Sequence, residues 1–245
     1  MSNFENTNLP APVSEPPLRT WDFMETAFVG LIAYGVFGLS AGLALSLAQV
    51  VQDGAKALPH AQFQAYGAGY IVACPLTVSV LWIAIRMARR DFAEYLALNW
   101  PSSGVLLRAL AVAAILLLSE SWAISIVGEQ NVPFGPFAGP RQTDGFLIFL
   151  IAGCIAVPIM EEFVLRGFMF RGWSQSFLGP VGSIVLTSVL WGLIHIQYDW
   201  FGRFWIFVTG LALGHFRWRS NSTWLTVMVH SAINTVLLFA MGLQL

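Results

Sequence analysis

Seven apolar runs, separated by short polar or Gly/Pro-rich breaks, organise this chain. They cover Ala27–Val51, Tyr66–Ile85, Val105–Val127, Phe146–Trp173, Val181–Gln197, Phe204–Phe216 and Trp224–Leu243. The longer runs approach or exceed the roughly 20 residues with which an α-helix crosses a hydrocarbon core. The breaks carry turn and charge chemistry. Gln52-Asp53-Gly54-Ala55-Lys56, Pro59 and His60 follow the first run. Arg86, Arg89, Arg90, Asp91, Glu94 and Pro101 follow the second, where a short surface helix fits. The Gly/Pro-rich stretch Gly128–Gly145 follows the third, and Gly179-Pro180 ends the fourth. The pattern predicts an all-α fold, a polytopic transmembrane helical bundle of about seven spans (six to eight). No repeat is visible. Residues 21–245 read as one membrane domain. Residues 1–20, with Pro10, Pro12, Pro16 and Pro17 and no basic n-region, read as a mobile tail and not as a signal peptide.

Composition sharpens this reading. The chain is 57% hydrophobic and 10% charged, with a mean hydropathy of +0.69. A soluble globular protein carries about 25% charged residues, so a soluble enzyme is excluded. A net charge of −1 gives no support for a nucleic-acid partner. Cys74 and Cys154 lie in separate apolar runs and read as small buried hydrophobes. With the N-terminus in the cytoplasm and seven spans, nine arginines fall on the inner side: Arg19, Arg86, Arg89, Arg90, Arg108, Arg166, Arg171, Arg217 and Arg219. Three basic residues, Lys56, Arg141 and Arg203, fall outside. The positive-inside rule therefore favours N-in, in the inner (plasma) membrane of a bacterial-type cell.

A few polar groups interrupt the later runs. Glu161 and Glu162 stand side by side at the end of Val157-Pro158-Ile159-Met160. A carboxylate at membrane depth costs roughly 2.5–3.5 kcal/mol on insertion scales, so a pair needs a reason. Helical neighbours point about 100° apart and cannot face one partner. Glu162 and Arg166 are four apart, with the acid N-terminal, the favourable order for an ion pair. That leaves Glu161 to face other helices, and a carboxylate taken out of water suits a general base near neutrality. His195, and the pair His230 and Asn234 four apart on one face, lie in later runs. At 1.5 Å per residue, Glu161, His195 and His230 come to depths of about 15, 18 and 9–14 Å from the same side. Imidazole and amide groups there can bind a metal, orient a water or donate to an oxyanion. His60 and His215 do not share this setting; His215 sits beside Arg217 and Arg219 at the membrane edge. Glu120 also reads as an edge residue. The serines near these motifs lie in no Gly-x-Ser-x-Gly elbow, and no Gly-rich phosphate loop is present.

Glu161-Glu162-x-x-x-Arg166, Trp191-x-x-x-His195 and His230-x-x-x-Asn234, in that order, resemble the three-motif signature of the CAAX-protease and bacteriocin-processing family, also called the ABI or type II CAAX prenyl endopeptidases. The resemblance covers about residues 146–240. Trp191 stands where Phe is commonest. It implies an intramembrane endopeptidase acting near the cytoplasmic side on a membrane-associated or lipid-modified peptide or protein. Glu161 would activate water with help from His195, His230 and Asn234 would stabilise the oxyanion, and Glu162 and Arg166 would hold the site together. The family is also described as metalloproteases. In that version Glu161, His195 and His230 would ligate zinc and leave the fourth position open. The lack of a tight pair such as His-x-x-x-His favours the metal-free version. Two rival classes are a non-catalytic scaffold or immunity-type partner and a proton-coupled small transporter. The intact motif argues against the first, and polar groups clustered near one side argue against the second.

Overall fold

The computed structural model describes residues 19–53, 60–127 and 146–241. The proline-rich tail to residue 18, Lys56, Pro59 and the 128–145 loop with Arg141 lie outside the described residues. Among the described residues all regular structure is helical. The helices are α1 (Phe23–Asp53), α2 (His60–Met87), α3 (Phe92–Leu96), α4 (Ser103–Val127), α5 (residues 146–174), α6 (Gly179–Ile194), α7 (Trp200–Ser220) and α8 (Thr223–Met241). Seven long helices coincide with the seven apolar runs, and short α3 lies in the arginine-rich connector. By length and composition, four segments are apolar enough to cross a membrane: Phe23–Ala44, Gly67–Met87, Ser103–Val127 and Thr223–Ala240. Helix α6 is shorter, α7 carries Arg203, Arg217 and Arg219, and α5 is interrupted.

Local chemistry sets the boundaries. Asp22 and Glu25 form a reciprocal capping box at the start of α1: Glu25 N donates to Asp22 Oδ1 at 2.8 Å and Asp22 N to Glu25 Oε2 at 3.1 Å. Helix α7 extends beyond the apolar Phe204–Phe216 run at both ends. Its first turn is capped by Asp199, which accepts from Gly202 N at 2.8 Å. Its last turn continues because Arg217 is buried and satisfied, donating from Nε to the Arg166 carbonyl at 2.9 Å and from Nη1 to Asn221 Oδ1 at 3.0 Å. Helix α6 stops at Ile194, short of the expected Gln197. His195 leaves the helix and its Nδ1 meets the Trp191 carbonyl at 2.7 Å, which satisfies an open carbonyl of the last turn.

Helix α5 departs most from a plain span. Two π segments, Ala152–Ala156 and Phe163–Met169, flank the α-helical Val157–Glu162. Pro158 has no N–H to donate, and in an unbroken α-helix its ring would press on a carbonyl one turn back. The wider turn immediately before it accommodates that defect.

Hydrogen bonds gather one set of helix ends. Trp21 Nε1 donates to Ala84 O at 3.2 Å and Trp173 Nε1 to Phe23 O at 3.0 Å, tying the start of α1 to the ends of α2 and α5. Asn99 Nδ2 donates to Asn221 O at 2.8 Å, and Thr223 N to Ala97 O at 2.9 Å, bringing in α3, α7 and α8. Arg171 reaches Glu94 at 3.0 Å. Most of the arginines cluster at this end. The helices therefore alternate in direction, and the core of Met160, Leu165, Phe168, Leu96, Leu213 and Leu225 packs between them.

Candidate active site

Helix α5 divides its two glutamates between two neighbourhoods, as the 100° step between adjacent residues requires. Glu162 and Arg166 are both fully buried, and Arg166 Nη1 meets Glu162 Oε1 at 2.9 Å. The same oxygen lies 3.0 Å from Nδ1 of buried His230 on α8. The Arg166 guanidinium also lies 4.4 Å above the Trp191 ring, and Nη2 is 3.5 Å from Gly210 O on α7. A Cβ at position 210 would stand 2.9 Å from Ser188 Cβ and 3.2 Å from Arg166 Nη2, so glycine there lets α7 close over the pair.

Glu161 turns the other way. It is 6% exposed, and its Oε2 accepts a 2.7 Å hydrogen bond from Trp191 Nε1 on α6. The Trp191 indole also packs edge-on against both imidazoles, 5.5 Å from His195 and 5.1 Å from His230 between ring centres. A carbonyl can only accept, so His195 Nδ1 carries its proton toward Trp191 O and leaves Nε2 bare. The Glu162 carboxylate assigns the Nδ1 proton of His230 in the same way. Both rings thus keep an acceptor nitrogen for other work. Asn234 Nδ2 donates to Gly153 O, a carbonyl of the first π segment, at 2.8 Å. That contact orients the amide and leaves it a second N–H.

One cavity of about 480 Å³ collects Glu161, His195, His230 and Asn234. Tyr34 and Phe37 of α1, Tyr70 of α2, Glu120 and Ile124 of α4, and Tyr198, Phe201 and Trp205 around the α6–α7 turn complete much of its wall. Glu162 and Arg166 do not line it; they brace it from behind. His230 lies near the arginine-rich end of α8, whereas Ile124, Tyr198 and Phe201 belong to the opposite end of the bundle. The cavity therefore runs from the level of His230 away from the arginines.

Several sequence-based readings change here. Glu120 is half-buried and lines the cavity, so its setting is more than a membrane edge. Glu161, His195 and His230, the possible ligands of the metal-dependent version, all line the cavity, and among the described residues no three His, Cys, Asp or Glu side chains are grouped as a ready-made metal site. The indole of Trp191 packs against both imidazoles and takes one oxygen of Glu161. Trp191 is thus more than a wall, and its N–H was the overlooked signal. Tyr34 carried no signal at all, because nothing in the first run marks it out. His215 is exposed, outside the cavity, with Phe216 and Trp218 beside its ring.

No curated protein and no solved structure matches this chain. Residues 143–236 match the model of a protein family described as type II CAAX prenyl endopeptidase Rce1-like. That stretch holds every motif residue that faces or braces the cavity, from Glu161 to Asn234, while Tyr34 and Glu120 lie outside it. Over residues 143–236, the stretch that carries the cavity motifs, this integral membrane chain is thus similar to the Rce1-like type II CAAX prenyl endopeptidases.

Proposed function

We propose that the protein is an intramembrane endopeptidase that hydrolyses a peptide bond in a membrane-associated or lipid-modified peptide or protein. The observation that carries this reading is the convergence of one carboxylate, two imidazoles with bare Nε2 atoms and an amide on a single cavity. Glu161 takes a proton from water, assisted by His195, as the water attacks the scissile carbonyl. The tetrahedral oxyanion gains its donors from His230, once protonated at Nε2, and from the second N–H of Asn234. The same Glu161 proton then passes to the leaving amine. Glu162 holds the His230 ring by its Nδ1, and Arg166 pairs with Glu162 in turn. No step needs a metal.

The arginine-rich end takes the cytoplasmic side of a bacterial-type inner membrane, with the N-terminus in. In that orientation Glu161 lies about 15 Å from the cytoplasmic face, and the cavity extends from the level of His230 toward the outer half of the bilayer. The partners are the bilayer and a peptide or membrane-protein substrate, not a nucleic acid. A transporter reading is weaker, because the Glu162–Arg166 pair is fully buried and locked by its partners and closes the inner end of the cavity.

The test is cleavage of a library of acylated peptides by purified protein in lipid nanodiscs. Wild type should cleave a subset, and Glu161→Gln, which keeps the shape but cannot take a proton, should lose about 10²–10⁴ in rate while still folding. A stably folded Glu161→Gln variant with near-normal turnover would sink the general-base role. Stoichiometric zinc that tracks activity through chelation and re-addition would overturn the metal-free form.

A further inference from the structure

Glu120 is an intramembrane carboxylate that the proposed reaction does not use. It lies about 26 Å along α4 from the Ser103 end, at the rise of a regular helix, and its side chain lines the same cavity as Glu161. Among the described residues it makes no hydrogen bond and no ion pair. The described cation at this end of the bundle is Arg203, and it is already engaged. Its Nε donates to Tyr198 O at 2.9 Å, its Nη2 to Ile196 O at 3.0 Å, and its guanidinium lies 4.9 Å over the Trp200 ring. Among the described residues no Lys or Arg lines the cavity, whereas two carboxylates do. An ionisable group held at membrane depth without a partner marks a binding or relay site.

A second observation points to what binds. Tyr34 Oη and Trp205 Nε1 are shielded from solvent without a hydrogen-bond partner among the described residues, and both residues line this cavity. Buried donors are nearly always satisfied, so two idle ones on residues that line one cavity need an explanation. Tyr34, Tyr198 and Trp205 line the same cavity as Glu120, and aromatic faces attract cations. The wall thus offers a carboxylate and aromatic faces to a cation, and N–H and O–H donors to carbonyl oxygens. A basic residue within a peptide combines those two chemistries.

We propose that Glu120, walled by Tyr34, Tyr198 and Trp205, forms a subsite for a lysine or arginine side chain of the substrate. Tyr34 and Trp205 donate to the neighbouring peptide carbonyls. The subsite rests on the peptidase reading of this cavity, but its test does not need turnover.

The probes are three N-dodecanoyl tripeptide amides, Ala-Lys-Ala, Ala-norleucine-Ala and Ala-Glu-Ala. Their binding to full-length Glu161→Gln protein in nanodiscs is measured at equilibrium, so that nothing is cleaved and Glu120 is the one carboxylate left on the wall. The lysine peptide should bind about tenfold or more tightly than the norleucine peptide, a modest share of what close charge pairs contribute across interfaces. That comparison requires no change at position 120. Glu120→Gln should abolish the preference without changing norleucine-peptide binding. Glu120→Lys should transfer it to the glutamate peptide. Equal affinity for the lysine and norleucine peptides, or a lysine preference that survives in Glu120→Gln, would overturn the subsite. Failure of wild type to cleave any peptide would count against the peptidase reading instead and would leave the binding result standing.

Discussion

Helices α4 and α5 both arise from long apolar runs, yet they meet the membrane in opposite ways. Helix α4 turns Leu107, Ile115, Leu118 and Trp122 outward and buries little beyond Ala109 and Ala113. Helix α5 is buried without interruption from Met160 to Phe170, and that stretch contains Glu161, Glu162 and Arg166. The most charged helix segment is thus the most enclosed. In a soluble protein apolar residues go inside and charges face water. Here the outside is apolar too, so a helix gains little by hiding leucine and much by hiding charge. Packing around α5 relies on neighbours that satisfy polar groups: Arg166 on Glu162, His230 on Glu162, Trp191 on Glu161 and Asn234 on Gly153.

The contrast can be broken most directly at Arg166. Arg166→Ala leaves Glu162 buried without its cation, which costs roughly 3–5 kcal/mol. We expect a large fall in thermal stability in detergent and loss of activity, while Arg108→Ala on exposed α4 leaves both unchanged. Equal melting temperatures for the two variants would erase the distinction between the helices. The next largest effect belongs to Asn234. Asn234→Ala removes one preorganised donor and should lower kcat by about 10²–10³ with little change in KM. A matching fall in binding affinity for uncleaved peptide would assign Asn234 to substrate binding instead.

A smaller effect sharpens the role of Trp191. Trp191→Phe keeps an aromatic face for Arg166 and both imidazoles but deletes the donor to Glu161. Hydrogen bonds to charged groups contribute about 1.5–3 kcal/mol, so kcat should fall about tenfold to a hundredfold. The pH profile is a second readout, because the deleted N–H contacts the proposed general base directly. Unchanged kcat and an unchanged profile would show the indole N–H to be idle. The smallest effect is expected on α4: Leu118→Ala faces the hydrocarbon and should change stability by less than about 0.5 kcal/mol. A loss of several kcal/mol would reveal a protein neighbour on that face.

Much of the architecture was legible in the amino-acid order. Seven apolar runs became seven long helices, and the charged connector after α2 became short α3. These features depend on local hydropathy and turn residues, which act within a few positions of each other. The Glu162–Arg166 pair was legible for the same reason, since four residues make one helical turn. The motif order also sufficed to bring Glu161, His195, His230 and Asn234 into one expectation. The two π segments of α5 were not legible, although Pro158 signalled a defect, because a missing N–H does not say how the backbone will accommodate it. Nor could the sequence say that the indole of Trp191 would take one oxygen of Glu161. Glu120 and Tyr34 were invisible as cavity residues. They come from α4 and α1, far along the chain, and only the packing of those helices against α5 to α8 decides which of their faces meets the cavity and which meets lipid.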